Sequence, residues 1–367
     1  MLQPKPNIDK LFPQPHGGIN YAEISNICLS PETVLDFSTN CNPFGPPPGT
    51  QEVIATASIE NYPDSEATEL KLALAAKLSV PPDYLIIGNG STELIRLITL
   101  AYFGAKTTIL IPKPTYGEYE VACHIANAEI IHQSMLERTN LKLSVADTIS
   151  LITQHQPKGI FLCNPNNPTG QYLSTDEIES ILAAAPDSLV VLDEAYTAFT
   201  DKTWVSLDLL KKYDNLIILR SMTKDFALAG LRLGYAIAKE PVISTLKRVK
   251  PPWNVNAVAQ QAGLFVLGKD DYIEECTLKI TEAKNYLITE LSNMQFKVMP
   301  SQTNFFLVKV SNFAFEFRHA LLYLGILVRD CTSFGLPHYI RIAPRSVPEC
   351  KKLIEAIKEF TGNCYAS

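Results

Sequence analysis

A chain of 367 residues with 46% hydrophobic content and a formal net charge of -6 can bury a substantial core and has room for two domains. It carries no Lys/Arg-rich run of the kind a nucleic-acid footprint requires, so a small-molecule partner is expected and a nucleic-acid partner is not. Met1 to Lys10 lacks an apolar signal-peptide core, no apolar run is long enough to span a membrane, and eight cysteines lie scattered without a C-x-x-C pair; a cytoplasmic protein with reduced thiols, no membrane partner and no bound metal is expected.

Residues 1–48 are rich in proline and asparagine, show little periodicity, and read as an arm with one short helix near Tyr21–Cys28. Within the arm, Pro15-His16-Gly17-Gly18-Ile19-Asn20 sets a histidine beside two glycines. The glycines let the backbone come close to a ligand and His16 can donate to an anion; the same residues also suit a plain turn. Leu35 to Pro46 is an extended polar segment closed by a turn, open to reading as an ordinary loop or as one whose Asn40 and Asn42 face a substrate. Asn61-Tyr62-Pro63-Asp64 precedes a helical pattern over 66–78, where Tyr62 taken alone reads as structural.

Tyr84-Leu85-Ile86-Ile87 is strand-like and runs into Gly88-Asn89-Gly90-Ser91-Thr92, where a helix should begin. Glycines followed by hydroxyl residues at a helix start offer backbone N–H groups and a favourable dipole to a phosphate. Thr107 to Pro112 repeats the strand pattern and ends near Tyr116, an aromatic that can cover a planar ligand or belong to the core. Lys158 to Cys163 leads into Asn164-Pro165-Asn166-Asn167-Pro168-Thr169-Gly170, a dense turn whose amides can reach a ligand oxygen. Ser188 to Leu192 ends on Asp193, and a carboxylate closing a buried run must be paired or protonated. A cationic ring nitrogen would satisfy it, as would a helix-capping role; Tyr196 lies three residues on.

Asn215 to Leu219 is a further buried-strand pattern, so Ser221, Thr223 and Lys224 fall just past a strand's carboxyl end, where open α/β sheets bind ligands. A lysine there can form a Schiff base with an aldehyde cofactor, while Ser221, Thr223 and Arg232 can hold a phosphate dianion. That set describes a pocket for pyridoxal 5'-phosphate (PLP). The strand-end groups met earlier suit the same cofactor. Apolar runs near 84, 107, 158, 188, 215 and 233, separated by helical patterns, predict at least six strands in a mostly parallel sheet. After Trp253 a long helical region begins, and Phe296–Met299, Asn304–Val308 and Tyr339–Ala343 suggest a smaller α+β domain with a final helix. The expected divisions are an arm (1–48) that lids the site as part of the small domain, a PLP-binding domain (49–250), and a linking helix with the C-terminal small domain (251–367).

With Asn167, Asp193, Tyr196, Lys224 and Arg232 in this order and spacing, the chain resembles the fold-type I PLP enzymes of the class I/II aminotransferase superfamily over residues 15–360. The resemblance implies an α/β/α sandwich around a mostly parallel seven-stranded sheet, with a smaller α+β domain formed by the arm and the C-terminal segment. It implies that Lys224 carries the cofactor, Asp193 pairs with its ring nitrogen, Asn167 and Tyr196 contact its ring oxygen, and Tyr116 stacks on the ring. Gly90, the backbone of Ser91 and Thr92, and Ser221, Thr223 and Arg232 would hold the phosphate. Tyr62 would reach in from the other subunit of a homodimer with shared active sites.

Two subfamilies share these motifs. Asn42-Pro43-Phe44-Gly45-Pro46 and Asn166–Gly170 are similar to histidinol-phosphate aminotransferase. His16-Gly17-Gly18, Trp253-Asn254-Val255-Asn256, Arg329-Asp330-Cys331 and Arg341-Ile342-Ala343-Pro344-Arg345 are similar to threonine-phosphate decarboxylase of cobalamin biosynthesis, and a decarboxylase of that kind is the leading expectation. Arg341 would take the substrate carboxylate, with Arg329, Arg345 and the His16 arm adding charge suited to an anionic amino acid. Ile19 departs from the decarboxylase pattern by separating the glycines from Asn20, and Asp9 and Glu23 in the arm suit a cationic substrate tail. A third reading is therefore elimination or cyclisation on a guanidino or other specialised amino acid. Transcription regulators that carry such a domain add a basic DNA-binding module, so an enzyme is expected here.

Overall fold

The computed structural model describes residues 2–9, 11, 13–200, 206–311 and 313–365. A short first strand, β1 (Leu35–Asp36), is followed by the strands of the main sheet: β2 (Leu85–Gly88), β3 (Thr108–Lys113), β4 (Glu129–Ser134), β5 (Gly159–Cys163), β6 (Leu189–Asp193), β7 (Leu216–Ser221) and β8 (Gly234–Ala238). These seven strands lie in the order β2-β8-β7-β6-β5-β3-β4. β8 runs antiparallel to both its neighbours, while the pairs from β7 through β4 are all parallel.

Continuous apolar runs make the central strands because both of their faces are covered. Ile160 and Leu162 of β5, Val190 and Leu192 of β6, and Leu216 and Ile218 of β7 share one core layer with Leu70, Leu74, Ile178 and Ala259 from helices on that side. The alternate residues Phe161, Val191, Ile217 and Leu219 face the other layer, against Leu94, Ile98, Tyr119, Ile243 and Leu246. The result is a three-layer α/β/α sandwich.

The strand β4 was not among the six apolar runs. Its sequence Glu129-Ile130-Ile131-His132-Gln133-Ser134 sits at the sheet edge, where only Gln133 is buried, so it lacks the continuous run that marks an inner strand. The helix expected over 66–78 begins at Thr68. Asp64 accepts from Glu66 N at 3.0 Å and Thr68 N at 2.7 Å, and this turn holds the first two residues out of the helix. Near the amino terminus, Asn20 caps the helix Tyr21–Asn26 by accepting from Ala22 N and Glu23 N.

The carboxy-terminal part adds β9 (Lys297–Val298), β10 (Phe306–Lys309), β11 (Ile326–Leu327), β12 (Arg329–Asp330) and β13 (Tyr339–Ile342). Four of them form an antiparallel sheet in the order β12-β13-β10-β9, and β1 runs parallel to β11. Phe306, Val308, Ile340 and Ile342 pack there against Leu287 and Leu291 of the helix Asp270–Asn293 and against Leu353 and Ile357 of the last helix. Phe37, from the segment following β1, completes that core. Among the described residues, no helix is long and apolar enough to cross a membrane.

Ile217 is fully buried in the middle of the main sheet. Ile217→Ala should reduce the free energy of unfolding by about 2–5 kcal/mol, read as a lower denaturant midpoint with an unchanged slope.

Candidate active site

Four adjacent strands deliver side chains to one end of the sheet. β7 ends at Ser221 and leads to Lys224; β6 ends on Asp193; β5 runs into the asparagine-rich turn; β3 runs out toward Tyr116. Parallel pairing sets Cys163 opposite Asp193 and Asp193 opposite Leu219. Beyond β8, β2 leads into the helix Gly90–Tyr102, whose first turn has no side-chain cap. Ser91, Thr92, Tyr116, Asn167, Asp193, Tyr196, Ser221, Thr223, Lys224 and Arg232 together line one inner cavity.

One end of this cavity suits a phosphate. Gly90 has φ +75°, and a Cβ there would lie 2.7 Å from Arg232 Nη2, so the guanidinium rests directly over the helix start. Arg232, itself at φ 58°, also donates to Ala229 O at 3.0 Å. The Ser221 and Thr223 hydroxyls share a hydrogen bond of 2.7 Å, and Thr223 N donates to Ser221 Oγ at 3.3 Å. Helix N–H groups, two hydroxyls and a guanidinium form a donor set matched to a dianion.

The deep wall suits a cationic ring nitrogen. Asp193 is buried, and burial pushes its carboxyl up to about 6 against the hydrogen bonds from the Tyr119 hydroxyl (2.8 Å to Oδ2) and Ala195 N (3.1 Å to Oδ1). Tyr116 bonds through its hydroxyl to Thr92 Oγ1 at 3.2 Å, and burial raises that phenol to about 12, so it stays neutral. Asn167 accepts from Arg341 Nη1 through Oδ1, which leaves its amide hydrogens for a ligand oxygen. The Tyr196 hydroxyl accepts from Asn40 Nδ2 at 3.3 Å, and its ring meets Phe305 edge-on at 4.9 Å.

An outer cavity of about 350 Å³ opens from the same residues toward the arm. Its floor holds two arginines that face each other across β12 and β13, Arg329 opposite Arg341, and both are buried. Arg341 Nη2 donates to Ser38 O at 2.8 Å, while its Nε has no partner among the described residues. Arg329 Nη2 donates to Pro15 O at 2.6 Å and Ser333 Oγ at 2.8 Å. Among the described residues neither forms a salt bridge, since Asp330 is bonded to Thr332 and Asp36 to Ser38 and Thr39. Burial lowers both guanidinium pKa values, and with Arg341 beside it Arg329 falls to about 10.

The arm closes over this floor. A Cβ on Gly17 would lie 2.4 Å from Ser38 O, and Gly18, at φ +110°, donates to Ser38 Oγ at 2.7 Å. Gly17 is therefore required by close approach to residue 38 and Gly18 by its positive φ. His16 Nε2 lies 3.2 Å from Glu118 Oε1, and Glu118 Oε2 takes Arg96 at 3.1 Å; the His16 contact, foremost, holds the Glu118 carboxyl below its usual range.

Several residues named from the sequence lie elsewhere. Asn42 binds backbone: its Nδ2 donates to Asp225 O at 3.1 Å and its N to Lys224 O at 2.8 Å. Arg345 is paired with Glu349 at 2.8 Å and donates to Asp36 O, outside both cavities. Tyr62 is 77% exposed and stacks on Trp253 at 4.3 Å, also outside this chain's cavities. Glu23, read as a partner for a cationic substrate, is held by Arg318 through two bonds of 2.6 and 2.7 Å.

Tyr119, Ser38, Glu118 and Asn304 were missed. Tyr119 lies three residues past Tyr116 in the helix Glu118–Ile125, where its spacing reads as core, and Asn304, which donates to Asn40 O at 3.0 Å, stands in a polar string ahead of β10.

The profile of the family "Aminotransferase class I and II" matches residues 32–357. A histidinol-phosphate aminotransferase of Thermoanaerobacter sp. is 39% identical over 312 residues, covering 84% of this chain and 87% of that protein. The crystal structure of the histidinol-phosphate aminotransferase from Clostridium acetobutylicum superposes with a TM-score of 0.83 at 29% identity, covering 90% of this chain and 100% of that one. That of L-threonine-O-3-phosphate decarboxylase from Porphyromonas gingivalis superposes with a TM-score of 0.78 at 27% identity, covering 89% and 99%. The phosphate cradle and the buried carboxylate described above fit PLP, which is the cofactor. This chain belongs to the class I and II aminotransferases, a family of PLP-dependent enzymes.

Proposed function

We propose that this chain is an aminotransferase for an amine bearing a phosphate monoester, of the histidinol-phosphate type, with a dicarboxylic amino acid as the other amino partner. The observation that carries this reading is the pair of buried arginines, Arg329 and Arg341, side by side without a carboxylate. Two guanidinium groups in such a place are costly unless an anion completes them, and the partnerless Nε of Arg341 is a donor waiting for one. The relative at 39% identity and the structure at 29% bear the same functional name, which supports the reaction class.

When bound, PLP supplies an electron sink for the bond broken at the substrate's Cα. Lys224 would hold the cofactor and its amine would carry the proton at Cα. Asp193 would pair with the ring nitrogen, Asn167 and Tyr196 would contact the ring oxygen, and Tyr116 would stack on the ring. The helix start at Gly90–Thr92, Ser221, Thr223 and Arg232 would hold the phosphate. Arg341, tied to Asn167, would hold the carboxylate of the dicarboxylic amino acid beside the residues assigned to the ring oxygen. Arg329 and His16 take the distal anion, and the arm excludes water. The working form is a homodimer in the cytoplasm, in which Tyr62 is contributed to the neighbouring subunit's phosphate site.

A second reading, decarboxylation of a threonine-phosphate-type amino acid, is favoured by one feature. The His16-Gly17-Gly18 arm folded onto Ser38 brings a histidine into the cavity that Arg329 also lines, and the Porphyromonas decarboxylase shares the fold at 27% identity. There the substrate's carboxylate would be lost as carbon dioxide and a proton from Lys224 would take its place at Cα.

Product analysis separates the readings. The PLP-loaded protein should convert histidinol phosphate with 2-oxoglutarate to a carbonyl product and glutamate. Carbon dioxide release from O-phosphothreonine would replace this by the second reading, and dehydration or cyclisation of a guanidino amino acid with neither would overturn both.

Two further outcomes are expected. Arg341→Gln should lower kcat/KM roughly 100-fold, about the loss of a charge-assisted pair of hydrogen bonds, while Arg345→Gln should spare it. Lys224→Ala should abolish the covalent, borohydride-reducible attachment of PLP, read by mass spectrometry of the intact chain.

A further inference from the structure

Asp193 has one side-chain donor already in place. Tyr119, on the helix Glu118–Ile125, is fully buried, and its hydroxyl donates to Asp193 Oδ2 at 2.8 Å. Packing fixes the ring, which stacks on Phe161 at 4.9 Å with a 12° tilt and meets Tyr116 edge-on at 5.5 Å. None of the roles assigned above uses this phenol.

We propose that Tyr119 is a positioning residue, whose hydroxyl holds the Asp193 carboxylate in the orientation that receives the cofactor's ring nitrogen. The inference needs only the PLP site and does not depend on which substrate is correct. A phenol that donates to a carboxylate stabilises its ionised form, opposing the burial that pushes Asp193 up to about 6. Tyr119's own proton is held well above its ordinary range by burial, so it remains a donor wherever the enzyme works.

The other titratable groups facing Asp193 give little help. Burial raises the Cys163 thiol to about 12, Glu194 adds negative charge, and only Lys224 brings a positive one. Without the Tyr119 hydroxyl, Ala195 N is the donor left to the carboxylate among the described residues. The ionised form is then less favoured and Asp193 titrates at higher pH. Since a protonated carboxyl must release its proton to pair with a cationic ring nitrogen, PLP affinity falls as pH drops through the pKa of Asp193. Raising that pKa moves the fall to higher pH.

The test is equilibrium binding of PLP to cofactor-free protein, followed by fluorescence quenching between about pH 5 and pH 8. Tyr119→Phe keeps the ring in its slot. At neutral pH it should bind PLP roughly tenfold or more weakly, with the midpoint of the acid-side loss moved to higher pH. Phe161→Leu loosens the same ring without removing the hydroxyl, and should weaken binding evenly with the midpoint in place. Asp193→Asn keeps only the acid-side loss that follows protonation of PLP's phosphate, and adding Tyr119→Phe to it should leave that midpoint in place. Wild-type affinity and midpoint in Tyr119→Phe, an even weakening like that of Phe161→Leu, or a midpoint shift by Tyr119→Phe that persists in the Asp193→Asn background would each overturn the proposal.

Discussion

A carboxylate at the end of a fully buried strand is the constraint around which this molecule is arranged. Asp193 closes β6 at the centre of the main sheet, where water is excluded and an unpaired negative charge is costly. The protein meets the demand partway, with one phenol and one backbone N–H. The chain's own cation there, Lys224, acts on it only at a distance, with no salt bridge among the described residues. On the function proposed above, a cofactor with a protonated ring nitrogen would complete the pair.

The opposite wall carries the complementary imbalance. Arg329 and Arg341 project from the antiparallel sheet, buried and without carboxylates, so positive charge on that side is as incomplete as negative charge on the other. A ligand that is cationic at one edge and anionic at the far end satisfies both walls at once. Groups that bind the folded chain in this way also stabilise it, because the unfolded chain offers them no such arrangement. Local electrostatic conflict is concentrated where function is, while the surrounding strands obey simple burial rules.

That division explains what could be read from the sequence. The inner strands were legible because a strand buried on both faces is a continuous apolar run, and Asp193 and Lys224 stood out as charges placed directly after such runs. The edge strand β4 was not, because Glu129 to Ser134 is half solvated and has no comparable run. Arg345 and Asn42 looked like ligand groups by type alone. Whether an arginine meets a substrate or a glutamate one helical turn away depends on the start of the last helix, and Glu349 takes Arg345 there. Tyr119 was hidden for the opposite reason, since a tyrosine at helical spacing from another tyrosine reads as core, and its hydroxyl matters only because β6 ends beside it.

The segment from Ser38 to Asn42 shows how the two sheets become one site. It looks like an ordinary polar loop, yet Ser38, Asn40 and Asn42 are all buried in a bending segment past β1, and their bonds go to different parts of the fold. Ser38 takes Arg341 on its carbonyl and Gly18 of the arm on its hydroxyl. Asn40 donates to Tyr196 and receives Asn304 on its carbonyl. Asn42 donates to the two successive carbonyls of Lys224 and Asp225. Five residues thus tie the arm, the arginine strand, the phenol after β6 and the lysine loop to each other. A shift of this segment would move Arg341 relative to Lys224, so on the function proposed above the backbone anchoring at Ser38 to Asn42 would bear on which bond at Cα is presented for breaking.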